Sequence, residues 1–280
     1  MTTLELSPSA LHPPGQPSSL ESAVRLALAG SPARILHLDH GGEHYVIKRI
    51  RGKGRSRLKT GFVRFLSRVF FPSLGVRGRF APRDGDFEAG RIHALAAAGM
   101  RVAGIALELP EATVYTHCGT PLPEHMAGLA PAARRDLLHR AVADLAEFHH
   151  AGCWHGGAQL RNLLLRDGQF YRVDFEEDLE DAMSLPLAQL YDLGQFLADV
   201  TGLRDMDANP VELGRALLAD YRRRHWSPDH QRGVDAVQGL ARLVLFLGPA
   251  LERLDHRDGN RALTVARVLR SASDPAPSSS

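Results

Sequence analysis

The feature that most constrains this chain lies near its middle. There Phe148-His-His-Ala-Gly-Cys-Trp-His-Gly-Gly-Ala-Gln-Leu-Arg-Asn162 precedes two short apolar runs and then Asp174-Phe175-Glu176. A helix beginning near Pro131, where proline suits the first turn, presents Leu138, Val142, Leu145 and Phe148 at helical spacing and ends at Gly152. The runs Leu163-Leu-Leu165 and Phe170-Tyr-Arg-Val173 flank Asp167-Gly168, the pair a two-residue hairpin turn prefers. That hairpin brings Asn162, before its first strand, face to face with Asp174, after its second.

The chain before this loop is strand-rich. Ala33-Arg-Ile-Leu-His-Leu and His44-Tyr-Val-Ile-Lys-Arg-Ile50 read as a hairpin turning on Gly41-Gly42, after a short helix from Glu21 to Ala29 closed by Gly30. An amphipathic helix is expected from about Asp84 to Ala98, ended by Gly99. Two short strands follow near Ile105–Glu108 and Thr113–His117, then a loop, Gly119-Thr-Pro-Leu122. After the hairpin the pattern is helical, with segments near 186–200, 210–225, 231–254 and 260–270. Residues 1–19 and 271–280 are rich in Pro and Ser and read as disordered tails. Strands followed by helices make an α+β class.

Composition narrows the setting. At 280 residues the chain can form one large domain or two lobes around a cleft, and 44% apolar with 24% charged residues is ordinary for a soluble protein. No run of about 18 uncharged apolar residues occurs, and the N-terminal residues lack the basic start and apolar run of a signal peptide. Cys118 and Cys153 make no disulfide framework, so a reducing cytoplasm fits best. A net charge of +2 gives no general attraction to nucleic acid.

Of the 34 basic residues only Lys48, Lys53 and Lys59 are lysines, so Lys48, closing the apolar run Tyr45-Val-Ile on a strand, stands out. Alone it reads as a strand-end lysine reaching to water. Glu88, in Phe87-Glu-Ala-Gly-Arg-Ile-His-Ala-Leu95, is the acidic candidate on the next helix, and alone reads as a solvated charge.

Taken in order, these residues resemble the protein-kinase-like fold family. Lys48 resembles the strand lysine of V-A-I-K, and Glu88 its helix partner. His155 to Asn162 resembles H-x-D-x-x-x-x-N, and Asp174-Phe175-Glu176 resembles D-F-G. Tyr191-Asp192-Leu-Gly-Gln-Phe196 resembles the buried helix aspartate that braces the catalytic loop. More narrowly, the chain looks like bacterial lipopolysaccharide core (Kdo/heptose) kinase-type proteins, and its Asp-Phe-Glu also resembles choline and aminoglycoside phosphotransferases. The resemblance covers roughly residues 33–200.

It implies a two-lobed fold: a small β-rich N-lobe over 20–122 with a basic insertion at 51–80, and a helical C-lobe over 123–270 with the catalytic-loop region at 149–178. It implies ATP tied by Lys48 and Glu88, and Mg²⁺ held by Asn162 and Asp174. His155, Gln159, Asn162 and Asp174 become the catalytic set, with transfer to a hydroxyl of a saccharide, lipid or small metabolite. Three departures bear on this. Gly157 stands where the family has its aspartate base, no Gly-x-Gly-x-x-Gly precedes Lys48, and the stretch from Asp174 to Asp192 is too short for an activation segment. A pseudokinase, binding nucleotide or acting as a structural module, is therefore the competing reading.

Other clusters have plainer explanations. His149, His150, Cys153 and His155 fit no zinc spacing, and His149 and His155 read as helix-end and loop histidines packed on backbone. The acidic run Glu176-Glu-Asp-Leu-Glu-Asp181 reads as a solvated loop, or as help for a second cation beside Asp174. Residues 49–80 carry ten Lys and Arg and no acid, with Phe62, Phe65, Leu66, Val69 and Phe70 on one helical stripe. That segment reads as a helix packed on the small lobe, or as one lying on an anionic membrane surface at its inner, cytoplasmic face.

Overall fold

Helices alternate with three hairpins in this computed structural model, which describes residues 19–50, 81–82, 85–178, 183–203, 206–235 and 257–270. The elements are α1 (Leu20–Gly30), β1 (Ile35–His40), β2 (Glu43–Arg49), β3 (Ala81–Pro82), α2 (Gly85–Ala97), β4 (Ile105–Leu109), β5 (Ala112–Thr116), β6 (Thr120–Pro121) and α3 (Leu122–Ala127). Then come α4 (Pro131–His150), a 3₁₀ turn (Leu160–Asn162), β7 (Leu163–Arg166), β8 (Gln169–Arg172), β9 (Glu177–Asp178), α5 (Leu185–Thr201), α6 (Pro210–Arg224) and α7 (Arg257–Arg270). This is an α+β protein with small antiparallel sheets, as the order of strand and helix patterns implies.

The described residues divide into two compact units. The smaller holds 19–50 and 104–117, a four-stranded sheet in the order β1-β2-β5-β4 with α1. α1 starts where the Ser19 hydroxyl accepts the Ser22 N–H, an N-cap of the usual kind. It buries Val24 and Leu28 with Ile47, Leu109, Ala112 and Val114. Arg49 closes the far end of β2 by donating to the carbonyls of Leu28, Ser31 and Ala33.

The larger unit holds the remaining described residues, α2 among them. Its core is the inner face of α4 (Leu138, Ala141, Val142, Leu145) against Leu193, Phe196 and Leu197 of α5 and Leu217 and Tyr221 of α6. Arg172 is buried at the end of β8, donating to the carboxylate and carbonyl of Asp144 and lying over the Phe148 ring. Asp144 also accepts from Arg101 at 2.7 Å. A buried guanidinium is tolerable only with such partners.

The segment expected as a loop at Gly119–Leu122 is ordered instead. Thr120 and Pro121 pair with Leu165 and Leu164, and Pro123 opens α3. Gly119 makes this possible: at its φ of 127° an added Cβ would stand 2.5 Å from the Leu165 carbonyl oxygen. The tails, the basic segment 51–80 and most of the helix expected at 231–254 lie outside the described residues. Among the described residues no helix is long and apolar enough to cross a membrane.

Candidate active site

α4 stops where the amide of Ala151 folds back on the carbonyl of Glu147, and Gly152 (φ 77°) turns the chain into the loop that follows. That loop, Trp154 to Gln159, has no ladder of its own, so many of its backbone groups are satisfied by side chains.

α5 supplies most of the partners. Asp192 is fully buried, and its carboxylate accepts the backbone N–H groups of His155 and Gly156, the latter at 2.7 Å, together with Nε2–H of His149 at 3.3 Å. Three residues on, Gln195 donates to the Gly156 carbonyl at 3.3 Å. A further turn on, Asp199 accepts the Leu160 N–H at 3.1 Å. Three residues before Asp192, Gln189 donates to the carbonyls of His149 and Cys153 at 2.7 and 3.0 Å. Burial opposes the charge on Asp192. The His149 hydrogen bond, the two nearby imidazoles and the His155 amide outweigh it and hold the carboxyl below the usual carboxylate range.

His149 is kept neutral by burial, against the pull of Asp192. With Nε2–H directed at Asp192, its Nδ1 accepts from the Tyr221 hydroxyl at 2.6 Å. His155 is also neutral, since burial pushes it down to about 4. Its Nε2–H donates to the Val173 carbonyl at 3.0 Å, and its Nδ1 accepts the Gly157 N–H at 2.9 Å. Both nitrogens of His155 thus hold backbone, and its ring lies 4.4 Å from that of Phe175. His155 is a positioning residue.

The hairpin does what its turn chemistry implies. β7 and β8 pair from Leu163–Arg172 to Arg166–Gln169, and beyond them Val173 donates its N–H to the Asn162 carbonyl at 3.1 Å. Asp174 follows with φ 70°, a left-handed conformation that costs a non-glycine residue about 1–3 kcal/mol and has to be held by its surroundings. The carboxylates of Asp174, Glu176 and Glu88 lie within 4.8 Å of one another, with Glu88 buried on α2 and the other two half-buried. Three hard oxygen donors at this spacing are the ligand type Mg²⁺ takes.

Asn162 is buried, its side-chain N–H donating to the Gly157 carbonyl at 2.8 Å, which leaves the amide oxygen as its ligating atom. Gln159 is half-buried. Its backbone N–H also donates to the Gly157 carbonyl, at 2.7 Å, and it borders a cavity of about 20 Å³ shared with His155, Asn162 and Arg172. Lys48 sits half-buried on β2 of the smaller unit, opposite Ile35 and Thr113.

Arg91 emerges only from the structure. One turn beyond Glu88, it donates to the carbonyls of Trp154, His155 (3.1 Å) and Glu177 (3.2 Å) while its guanidinium lies 3.3 Å over the Trp154 ring. Glu88 and Arg91 thus tie one face of α2 to the loop and to the segment after Asp174. The i, i+3 spacing of Glu88 and Arg91 could have flagged it. So could the polar stripe Gln189, Asp192, Gln195, Asp199, spaced three, three and four residues apart along the otherwise apolar α5.

No protein-family model matches the chain, and no curated protein matches it. Among solved structures, a glucosamine kinase superposes with a TM-score of 0.34 and 16% identity, over 88% of this chain and 90% of that one. A superposition of that quality does not define a shared fold.

Proposed function

We propose that this chain is a phosphotransferase of the protein-kinase-like type, a two-lobed protein that uses Mg²⁺ and ATP to phosphorylate a hydroxyl of a saccharide, lipid or small metabolite. The observation that supports it most is the pairing of a braced loop with a carboxylate group. Asp192 holds the loop through two backbone amides, and Asp174 lies one residue beyond the Asn162–Val173 hydrogen bond, within 4.8 Å of Glu88 and Glu176.

In this reading Asp174, Glu176 and the Asn162 oxygen hold Mg²⁺, which supplies charge neutralisation for phosphoryl transfer. Lys48 ties the nucleotide phosphates. Glu88 stands in the carboxylate group and also on the helix expected to pair Lys48. Gln159 orients the acceptor hydroxyl by hydrogen bonding, since a neutral amide takes no proton. The chain works in the cytoplasm, and the basic segment 51–80 rests on the inner face of an anionic membrane, with sedimentation on anionic vesicles falling steeply with salt as the check.

Thermal unfolding with Mg²⁺-ATP tests the reading. The parent gains stability by ligand linkage, about 2.7 kcal/mol at a hundredfold excess over Kd. Asp174→Asn loses the Mg²⁺-dependent part while keeping its fold. A parent that shows no shift with Mg²⁺-ATP refutes the proposal. The pseudokinase reading is favoured by glycine at position 157 and by the missing Gly-x-Gly-x-x-Gly before Lys48.

A further inference from the structure

We infer that the first hairpin carries a transition-metal site, formed by His37 and His44 and oriented by Asp39, which shares no residue with the carboxylate group of the larger unit. The hairpin register sets it up. Asp39 stands directly opposite His44 across the β1–β2 pair, while His37 pairs with Val46 and is therefore the diagonal neighbour of His44 on the same face. Nδ1 of His37 lies 3.1 Å from Nε2 of His44, and Oδ1 of Asp39 lies 2.6 Å from Nδ1 of His44. The carboxylate accepts the Nδ1–H, so the lone pair of His44 sits on Nε2 and points at His37.

A carboxylate on the far nitrogen is the arrangement that orients metal-binding histidines and raises their basicity. The His44 ring is held on other sides as well. It lies beside the His37 ring, the two planes 22° apart with centroids 5.3 Å apart, and His117 meets it edge-on at 5.0 Å while donating its backbone N–H to the His44 carbonyl at 2.9 Å.

The spacing also suits an ion. Two imidazole nitrogens each about 2.0–2.1 Å from one metal, at an angle between octahedral and tetrahedral, lie about 2.8–3.4 Å apart. The observed 3.1 Å falls within that range. Without metal the pair shares the His37 Nδ1–H. On binding, that proton leaves Nδ1 while Nε2 of the same ring takes one up, so the ring stays neutral and no net proton is released. His37 and Asp39 are exposed, so water completes the coordination. Two nitrogens and water select borderline divalent ions over Mg²⁺ and Ca²⁺, with Cu²⁺ bound tightest.

The test is titration of the full-length protein with Cu²⁺ at about pH 7.5, read by nitrogen hyperfine structure in electron paramagnetic resonance and by competition with a chelator. The parent is expected to show one site with two nitrogen ligands. His44→Ala and His37→Gln should each lower the affinity at least about tenfold, and Asp39→Ala about 10–100-fold, with circular dichroism unchanged. His37 is exposed, so His37→Gln decides the matter even if His44→Ala fails to fold. A parent spectrum and affinity that His37→Gln leaves unaltered overturn the inference.

Discussion

Asp192 gives the sharpest test of how the loop is held. Replacing it with alanine strips the acceptor from the buried backbone N–H groups of His155 and Gly156 and from Nε2–H of His149. Each buried donor left without a partner costs about 1–3 kcal/mol. Three would cost about 3–9 kcal/mol, offset in part because a carboxylate charge no longer has to be buried. With that offset the expected loss is about 3–5 kcal/mol. It is a large share of a total stability of about 5–15 kcal/mol.

Asp192→Asn separates geometry from charge. Its oxygen can still accept from His155 and His149, but its NH₂ then faces the Gly156 N–H, so a loss of about 1–3 kcal/mol is expected. Urea unfolding at neutral pH reads the free energies. Amide exchange at His155 and Gly156 reads the cause, being slow in the parent and fast in Asp192→Ala. An Asp192→Ala protein within about 1 kcal/mol of the parent, with those two amides still protected, would refute the clamp.

Three further outcomes are expected. His155 is depressed from 6.5 to about 4, so between those pH values the unfolded chain binds a proton that the folded chain does not. Stability is therefore full above about pH 6.5 and falls by up to about 3 kcal/mol as pH drops towards 4, visible as a falling urea midpoint, and a flat midpoint over that window would contradict it. Gly156→Ala should cost about 1–3 kcal/mol, because φ is 89° and a Cβ would meet the Trp154 ring at 3.0 Å and Glu177 at 3.2 Å. Gly157→Ala, whose Cβ meets nothing nearer than 3.4 Å, should cost well under that, and equal losses would count against the difference. Arg91→Lys keeps the charge but loses the planar fork and the stacking on Trp154, so destabilisation of about 1–3 kcal/mol and a red-shifted tryptophan emission should appear together.

What could be read from the chain was what local chemistry decides. Asp167-Gly168 and Gly41-Gly42 dictate their hairpins, Pro131 starts α4, and Gly99 lies just past α2, because each acts within a few residues of itself. The nearness of Asn162 to Asp174 follows from a hairpin alone. The meeting of Glu88 with Asp174 and Glu176 does not, since it depends on how α2 is rotated and packed, which no spacing within α2 encodes. Spacing could mark Arg91 only as a neighbour of Glu88; what it binds was hidden for the same reason, because its partners are carbonyls, which every residue has. The pairing of Thr120 and Pro121 with β7 was hidden too, because a proline in a short polar stretch reads as a loop until a neighbouring hairpin supplies an edge.

Position 157 joins the clamp to the question of chemistry. The Gly157 backbone is pinned on both sides: its N–H donates to His155, and its carbonyl accepts from Gln159 and Asn162 at 2.7 and 2.8 Å. An added Cβ would lie 3.4 Å from the Asn162 amide nitrogen and 3.5 Å from Nδ1 of His155, ordinary contact distances. A Cβ is therefore accommodated here without moving the loop, and the carboxylate of a grafted aspartate would start from a fixed point near the Asn162 amide. On the proposed reading, position 157 is where the base would stand.

A general base contributes about 10²–10⁴-fold, while phosphoryl transfer depends mainly on positioning and charge neutralisation. Slow ATP turnover is therefore expected in the parent, faster turnover in Gly157→Asp, and none in Asp174→Ala, measured as phosphate release. If parent and Gly157→Asp are both as silent as Asp174→Ala while Mg²⁺-ATP binds, a base was never the missing part, and the chain is a nucleotide-binding pseudokinase.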